Sequence, residues 1–502
     1  MLRRVEPSRT PPSITDLQKP LEHFRAKTQR LRIHPLELSL LGVVCAHLIF
    51  LVWALGGRPF WAQLTSLGFG VVELALALRS RHYTAEFSAE GTFKLVMWPK
   101  LVRFPLFGTG LALLVYILIQ ALNPAWRYVS DQRGWWMEPA SHVTWLPSGT
   151  IVPFAIAGQW RSLIVYTAVW LLVCSIWTGF TRRRTLQFFF IVLAANAMVL
   201  ALFGLVQRLT TNGLIFWFWK PPASYFFASF TYKNHAGAYF NLMLAICIGL
   251  AGWFYLRSLR RLEKSNPAGL FVFFSVLIAI DVVITFSRAS TILMLLYLTL
   301  AMVIMLVYQL KNPQLLRRPV VTFILLCGFS IFAYVGLDAL NVGQAWDKMK
   351  QSESDGSVVN RWVTTKASSY MLKDHWEFGT GAGSYRFLFP PYQNRYAEIT
   401  MSSNKRSYYE HAHNDWLEFP IELGLFGGVM ILLSLGHLAL KLMRSFFWEN
   451  PLTLMITLGG LLILAYSSFD FIFQNVAILT TWCALWPAVL HWTEFEDMNL
   501  PA

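Results

Sequence analysis

The chain alternates between long apolar segments and short connections that carry much of its charge. Twelve segments are long enough, at about 20 residues each, to cross the hydrocarbon core of a bilayer. Their approximate bounds are 36–56, 60–79, 104–122, 161–180, 186–207, 236–256, 268–286, 289–309, 320–340, 414–440, 452–470 and 473–491. Backbone N–H and C=O groups find no water inside lipid, so a spanning segment must form a helix. The pattern therefore predicts an all-α polytopic membrane protein with about 12 transmembrane helices.

Composition favours the same class of protein. Of the 502 residues, 55% are hydrophobic, 16% aromatic and 14% charged, and the mean hydropathy is +0.47. The formal net charge of +15 could indicate a nucleic-acid partner, but most of it lies between apolar segments and no nucleic-acid-binding motif accompanies it. The five cysteines all fall inside apolar segments, which predicts packing rather than disulfide bonding.

The distribution of Lys and Arg predicts how the chain crosses the bilayer. With the N-terminus inside the cell, the cytoplasmic connections hold 25 of these residues and the short external connections hold 8. An even number of helices then places both termini in the cytoplasm. The predicted organisation is a basic tail at 1–35 with no signal-peptide core, helices over 36–340, an external loop at 341–412, helices over 413–492 and a tail at 493–502.

The external loop at 341–412 carries nine basic and seven acidic residues together with many aromatic ones. A structureless loop of this length is unusual, so we expect short helices folded over the membrane face, one of them over 360–376. The glycines of 379–383 indicate a tight turn, and it is not a phosphate-binding fingerprint because it follows no strand. A smaller external connection, 123–160, contains several tryptophans, which is typical of an aromatic belt at the membrane interface.

The most informative segment is 411–428, with the sequence HAHNDWLEFPIELGLFGG. His413 and Asn414 stand where the polar loop meets a new apolar helix. Nine residues separate them from Gly424, and Gly427 follows, which gives the spacing H-N-x9-G-x-x-G. A titratable imidazole at a membrane boundary is costly unless water, a partner or a substrate uses it.

A lone interfacial histidine is more often a structural residue bonded to backbone, but its surroundings here favour chemistry. Asn414, Glu418 and Glu422 recur every four residues and so share one face of the following helix. Pro420 interrupts that helix, and Gly424 allows another backbone to approach closely. A polar, kinked face beside a wet cavity suits a membrane-embedded active site, in which an imidazole can act as general base.

Several cationic and amide side chains map to the same external face as this histidine. Arginine is the residue of choice for phosphate oxygens because its planar fork binds them bidentately, although an interfacial arginine can also simply snorkel. Asn234 could equally cap a helix. The candidates are Arg208 after GLVQ, Lys233 and Asn234 in FTYKNHAGAYFNL, Arg288 in ITFSRAST, and Arg361 before Trp362.

Three acidic residues in or at the ends of apolar segments leave their roles open. Glu73, Asp281 and Asp470 could form a proton relay, pair with arginines or be neutral, and Asp470 is placed to orient an arginine. The external face holds no Asp-x-Asp sequence, and no His/Cys cluster has zinc spacing. The sequence therefore predicts no metal and no cofactor.

The spacing of 411–428 resembles the signature of the O-antigen ligase and polymerase superfamily, and the similarity extends over roughly 185–475. The resemblance implies a GT-C-like bundle in the bacterial inner membrane, with a periplasmic loop over the site. It also implies a metal-independent, inverting transfer of glycan from undecaprenyl pyrophosphate. In that mechanism His413 is the base, while Arg208 and Arg288, with Arg361 or Lys233 and with Asn234, bind the donor.

The resemblance leaves the acceptor open. A ligase transfers glycan to lipid A-core, a polymerase to another carrier-linked repeat, and a protein O-oligosaccharyltransferase to a serine or threonine. The segment 379–392, GTGAGSYRFLFPPY, resembles segments of polysaccharide polymerases. A transporter of lipid-linked glycans or protons remains the alternative from another class, although a carrier should concentrate polar groups near the bilayer midplane rather than at one surface.

Overall fold

The computed structural model describes residues 32–84, 92–210, 212–222, 225–261, 265–311, 328, 334, 356–402 and 405–497. Eleven of the twelve predicted segments fall on apolar helices of these residues. These helices are α1 (Pro35–Trp53), α2 (Phe60–Leu78), α4 (Pro105–Leu122), α5 (Gln159–Gly179), α6 (Arg183–Thr210), α7 (Lys233–Arg261), α8 (Ala268–Ile284), α9 (Arg288–Lys311), α14 (Asp415–Arg444), α15 (Pro451–Tyr466) and α16 (Val476–Asp497). The remaining segment, 320–340, lies almost wholly outside the described residues, as does most of the tail at 1–35.

The prediction of an all-α polytopic membrane protein is confirmed. Among the described residues, nine helices are long and apolar enough to cross a membrane, and α8 and α15 are shorter. Both were predicted to extend further, to 286 and 470. Helix α8 stops because the chain turns at Phe286 (φ 52°), and α15 stops at Tyr466, so Asp470 lies in a connection rather than in a helix.

Helix α7 forms the centre of the bundle. Every residue from 234 to 247 is buried, as expected of a helix that is apolar on all sides. Small residues let its neighbour α15 approach closely, since a Cβ built on Gly459 would meet the side chain of Ala245. The first turn of this rigid helix carries Lys233, Asn234 and His235, so the bundle core positions polar groups at one end of the molecule.

The connection 123–160 folds as a small sheet, whereas the sequence predicted only an aromatic belt at the membrane interface. Strands β3 (Pro124–Asp131) and β4 (Gly134–Pro139) form an antiparallel hairpin, and β5 (Gly149–Ile151) pairs parallel with β3. Alternation along β4 turns Trp135 toward Phe387 of the long loop, with ring centroids 5.9 Å apart, while Trp136 is 42% exposed. The hairpin therefore packs against the loop.

The described part of the long loop contains short helices, as predicted, and two short strands. The 20-residue helix α10 (Gly356–His375) covers most of the predicted 360–376 and packs on the loop's own core of apolar side chains. The smaller elements are α11 (Tyr385–Leu388), α12 (Pro390–Gln393), α13 (Ala397–Thr400), β6 (Met401–Ser402) and β7 (Lys405–Arg406). At the other end of the bundle lie β1 (Arg81–Tyr83), β2 (Phe93–Leu95) and α3 (Trp98–Val102), and turns of 3-10 helix occupy Leu55–Gly57 and Phe447–Glu449.

Candidate active site

A cavity of about 1570 Å³ opens where the long loop meets the bundle. Its wall combines polar groups of the loop with the ends of several spanning helices. Of the residues predicted to form the site, the structure brings seven to this wall: Lys233, Asn234, Arg288, Arg361, His413, Glu418 and Glu422. Arg208 is not among the residues of this wall, and its guanidinium packs 5.2 Å from the ring centroid of Phe286, which is one of them. Asn414 occupies the N-cap position of α14, next to His413, without a capping hydrogen bond from its side chain.

Helix α14 breaks at Gly424, two residues beyond the cavity-lining Glu422 and four residues after Pro420, where the sequence predicted the interruption. Gly424 has φ 62° and ψ −166°, a conformation that is essentially restricted to glycine. The backbone groups freed by the break bond to the glycine-rich turn: Gly381 donates to the Glu422 carbonyl at 2.9 Å, and Leu425 donates to the Trp376 carbonyl at 2.8 Å. The loop and the spanning helix are thus joined backbone to backbone.

We expect Gly424→Ala to destabilise the protein by about 1–3 kcal/mol from backbone strain. The new Cβ would also lie 2.5 Å from the Glu377 carbonyl oxygen and the Phe378 carbonyl carbon, where no flexible side chain can yield. Thermal unfolding in lipid nanodiscs measures the effect. Gly428→Ala is the matched control, since a Cβ there meets nothing within 4 Å on the same helix. Equal melting temperatures for the two variants would contradict the strained break.

The two glutamates of α14 hold loop backbone rather than facing the cavity as free acids. The Glu422 carboxylate accepts the N–H groups of Gly383 at 2.8 Å and Tyr385 at 3.0 Å. The Glu418 carboxylate accepts the N–H of Ala412 and pairs with Nδ1 of His411, both at 2.7 Å. These side chains therefore support the site by fixing two separate loop segments, 383–385 and 411–412, to one helix.

Asp470 is the organising residue of the site. It is fully buried in the turn between α15 and α16. Its Oδ2 accepts the Asn234 amide at 2.6 Å and lies 3.5 Å from Nη2 of Arg361, and its Oδ1 lies 3.3 Å from Nδ1 of His413. Of the three roles left open by the sequence, the structure therefore selects pairing, with a histidine and an amide as well as an arginine.

These partners keep Asp470 ionised. Burial alone would raise the pKa of this carboxyl group, but the hydrogen bond from His413 and the charge of Arg361 outweigh it and lower the pKa to about 2. An ionised carboxylate can only accept hydrogen bonds, so Nδ1 of His413 carries the proton that points to Asp470. With that proton on Nδ1, Nε2 is the ring nitrogen that can accept a proton, as a general base requires.

His413 is held in place by backbone geometry and by rings. It adopts φ 53°, in the left-handed region, just before α14 begins. The Phe471 ring meets the imidazole edge-on with centroids 4.9 Å apart, and Tyr409 does so at 6.4 Å. With 23% of its side chain exposed, the imidazole is fixed yet reachable from the cavity.

Three cations line the cavity wall beside His413 and Asp470. Nζ of Lys233 donates to the Phe286 carbonyl at 2.9 Å, and Arg361 donates to the Phe469 carbonyl at 3.1 Å. Arg288 is exposed at the start of α9. Lys233 lies within electrostatic reach of both arginines, so the three positive charges act on one region of the cavity.

Sequence reasoning missed His411 and Tyr232. The His411 ring stacks on Phe471 at 4.7 Å, and burial, reinforced by the charge of Arg386, lowers its pKa to about 3. The Tyr232 hydroxyl accepts from Asn234 at 2.6 Å and from Arg361 at 3.3 Å. The HAH spacing is a signal for the first, because two histidines separated by one residue can face one cavity. Nothing local indicates the second.

The other buried acids lie away from the cavity wall. Glu73 pairs with Nδ1 of His47 at 2.9 Å, and the same ring bonds Ser66 through Nε2 at 2.6 Å. Asp281 is buried in α8, and its carboxylate has no hydrogen-bond partner among the described residues. Within that part of the chain, no group of three His, Cys, Asp or Glu side chains has an arrangement that could hold a metal ion.

Residues 273–432 match the family model described as O-Antigen ligase, which confirms the resemblance found in the sequence. Curated proteins yield no match to the chain. The matched segment contains Arg288, Arg361 and His413, whereas Lys233 and Asp470 come from outside it. The family and the spanning helices together support a multi-pass membrane enzyme that acts on glycans.

Proposed function

We propose that the protein transfers a glycan from undecaprenyl pyrophosphate to a sugar hydroxyl of lipid A-core, on the periplasmic side of the bacterial inner membrane. The observation that carries the proposal is one cavity lined both by His413, which pairs with the buried Asp470, and by three clustered cations. A hydroxyl that must lose a proton and a pyrophosphate that must leave with negative charge need these two groups of residues side by side.

The cations would act on the donor. Arg288, Arg361 and Lys233 bind the pyrophosphate oxygens and neutralise the charge that develops as the bond from the anomeric carbon to the phosphate oxygen breaks. The phosphate oxygen keeps the electron pair of that bond. Because Arg361 is itself anchored by Asp470, its fork keeps its orientation while the charge builds up.

The histidine would act on the acceptor. Nε2 of His413 takes the proton from the acceptor hydroxyl as its oxygen bonds to the anomeric carbon, on the face opposite to the leaving pyrophosphate. The configuration at that carbon inverts as a result. Asp470 stabilises the imidazolium that forms, through the Nδ1 hydrogen bond. The aromatic side chains at the cavity wall, including Tyr408 and Tyr409, offer apolar faces for sugar rings.

The direct test is transfer by the purified protein in lipid nanodiscs, supplied with undecaprenyl-pyrophosphate glycan with and without lipid A-core. A single shifted lipid A-core band is expected. A product ladder without added acceptor would instead identify a polymerase of carrier-linked repeats. No transfer under either condition would contradict the proposal and favour a transporter of lipid-linked glycans.

We expect Arg288→Lys to lower transfer about tenfold to a hundredfold, because lysine keeps the charge but loses the bidentate fork. Donor titrations should show a weaker apparent affinity in the same range. Arg208→Lys is the matched control, since Arg208 lies outside the cavity wall and should give near-normal rates. Equal rates for Arg288→Lys and the unmodified protein would make Arg288 an interfacial anchor.

A further inference from the structure

A second group of arginines lines the same cavity, separate from the donor cations. Arg58 follows the turn after α1, Arg161 lies in the first turn of α5, and Arg386 lies in α11. Arg161 is within electrostatic reach of Arg58 and Arg386, just as Lys233 is of Arg288 and Arg361. The cavity therefore has two positive regions, each built from three different parts of the chain.

Arg161 holds this second region together. Its Nε donates to Oε1 of Gln63 at 2.7 Å. Its Nη1 donates to the Ala155 carbonyl and its Nη2 to the Arg58 carbonyl, both at 2.8 Å. The buried Gln63 amide also donates to the Arg58 carbonyl, at 3.2 Å. The backbone of Arg58 is thus fixed, and Arg161 serves as a positioning residue that adds a permanent charge.

The other two arginines share one loosely bound carboxylate. Oε2 of Glu410 lies 3.7 Å from Nη2 of Arg58 and 3.7 Å from Nη2 of Arg386, too far for a hydrogen bond to either. The Glu410 side chain is 45% exposed, so these ion pairs are weak and cheap to break. A single carboxylate oxygen therefore lies between the two guanidinium groups, at a position suited to an anion. A phosphate group would fit this position better, because its several oxygens can accept bidentate hydrogen bonds from both arginines.

His411 and His413 link the second region to the donor cations. His413 bonds to Asp470, which binds Arg361 of the first group. His411, two residues earlier, is close enough to Arg386 and Arg58 to feel their charges. A substrate hydroxyl at His413 could therefore belong to a molecule anchored at the second region while the donor is anchored at the first.

We propose that Arg58 and Arg386 form a second anion-binding subsite that takes a phosphate group of the acceptor glycolipid, with Glu410 as its displaceable internal counter-ion. The inference rests on the proposed function and narrows the acceptor to a phosphorylated one. That phosphate can come from a phosphorylated core oligosaccharide or from the pyrophosphate of a second carrier-linked glycan. The shared chemistry is a phosphate group on the same molecule as the reacting hydroxyl.

Direct binding tests the subsite without relying on turnover. We expect inorganic pyrophosphate, titrated calorimetrically into the full-length protein in nanodiscs, to occupy two sites per chain. Arg386→Gln should remove one site and Arg288→Gln the other, and Arg133→Gln, an exposed arginine in the β3–β4 turn, should keep both. Glu410→Gln should tighten the second site about tenfold. A single pyrophosphate site that Arg386→Gln leaves unchanged would overturn the proposal.

Kinetics then identify the source of the phosphate. Arg386→Gln and Arg58→Gln should raise the KM for a phosphorylated acceptor about tenfold to a hundredfold and leave the KM for the donor within about twofold. With lipid A-core stripped of its core phosphates, the unmodified protein should show the same raised KM. If the effect instead appears only with a second carrier-linked glycan, the phosphate comes from the carrier. Equal use of phosphorylated and dephosphorylated lipid A-core, with no effect on the carrier-linked acceptor either, would overturn the subsite even though transfer itself proceeds.

Discussion

His413→Gln is expected to lower glycan transfer about a hundredfold to ten-thousandfold, the range that a positioned general base supplies. The amide can still bond to Oδ1 of Asp470, so Asp470 stays partnered and the site keeps its shape. The cations that bind the donor belong to other elements, and the donor dissociation constant should stay within about twofold. Single-turnover rates and donor titrations on the same preparation separate the two effects.

His411→Gln is the matched control for this experiment. Both histidines line the cavity and contact Phe471, but His411 pairs with Glu418 instead of Asp470. Its loss should cost less than about tenfold in rate. If His411→Gln abolished transfer and His413→Gln did not, the base would have to be His411 and the helix-start histidine would be a structural residue.

Asp470→Asn should produce a loss of similar size, about a hundredfold or more, because an aspartate that fixes the tautomer of a catalytic histidine is a large contributor to rate. An asparagine can turn its amide N–H groups toward Nδ1 and so favour the wrong tautomer. It also leaves Arg361 without its buried countercharge, which disturbs the donor region as well. Both kcat and donor affinity should therefore fall, whereas His413→Gln changes kcat alone.

Asp281→Asn is the control for Asp470→Asn, since Asp281 is equally buried but its carboxyl group has no hydrogen-bond partner among the described residues. We expect its transfer rate to remain within about threefold of normal. A comparable loss of activity in both variants would mean that losing any buried carboxyl group, and not the contact with His413, explains the effect.

The pH dependence of stability gives an independent check on Asp470. Because its pKa is lowered from 3.8 to about 2 in the folded protein, the ionised form stabilises the fold at every pH above about 4. That contribution, about 2 kcal/mol at roughly 1.4 kcal/mol per pKa unit, is lost as the pH falls from 4 through 2. The stability gap between the unmodified protein and Asp470→Asn should therefore narrow by about 2 kcal/mol as the pH falls from 4 through 2. A gap that stays unchanged across this interval would contradict the lowered pKa of Asp470.

The helices and the kinked motif were predictable because their signals are local. Apolar length specifies a spanning helix, and the glycine at 424 specified where a second backbone approaches. The H-N-x9-G-x-x-G spacing within 411–428 likewise placed His413 at the start of a helix. What the sequence could not specify were contacts across long separations. His413 meets Asp470 over 57 positions, and Arg361 meets Tyr232 over 129.

Two further differences have physical causes that a single sequence does not reveal. Arg208 was grouped with the donor cations by its position at the outer end of a helix and by its resemblance to a family arginine, whereas the structure places its guanidinium against the ring of Phe286. The hairpin at 124–139 was hidden because tryptophan is typical of both strands and membrane interfaces, and only the packing of Trp135 on Phe387 distinguishes them.

The anchoring of the loop on α14 has a consequence for how enzymes of this design can diversify. Glu422 holds the chain at 383–385, and Glu418, one turn away, holds it again at 411–412, so the segment 386–410 leaves and returns at nearly the same point. Lengthening a loop whose ends are already held together costs little loop-closure entropy, about 0.6 kcal/mol for each doubling of its length. The segment 386–410 can therefore be replaced by a longer or different one that binds a new acceptor, while the His413 imidazole keeps its position.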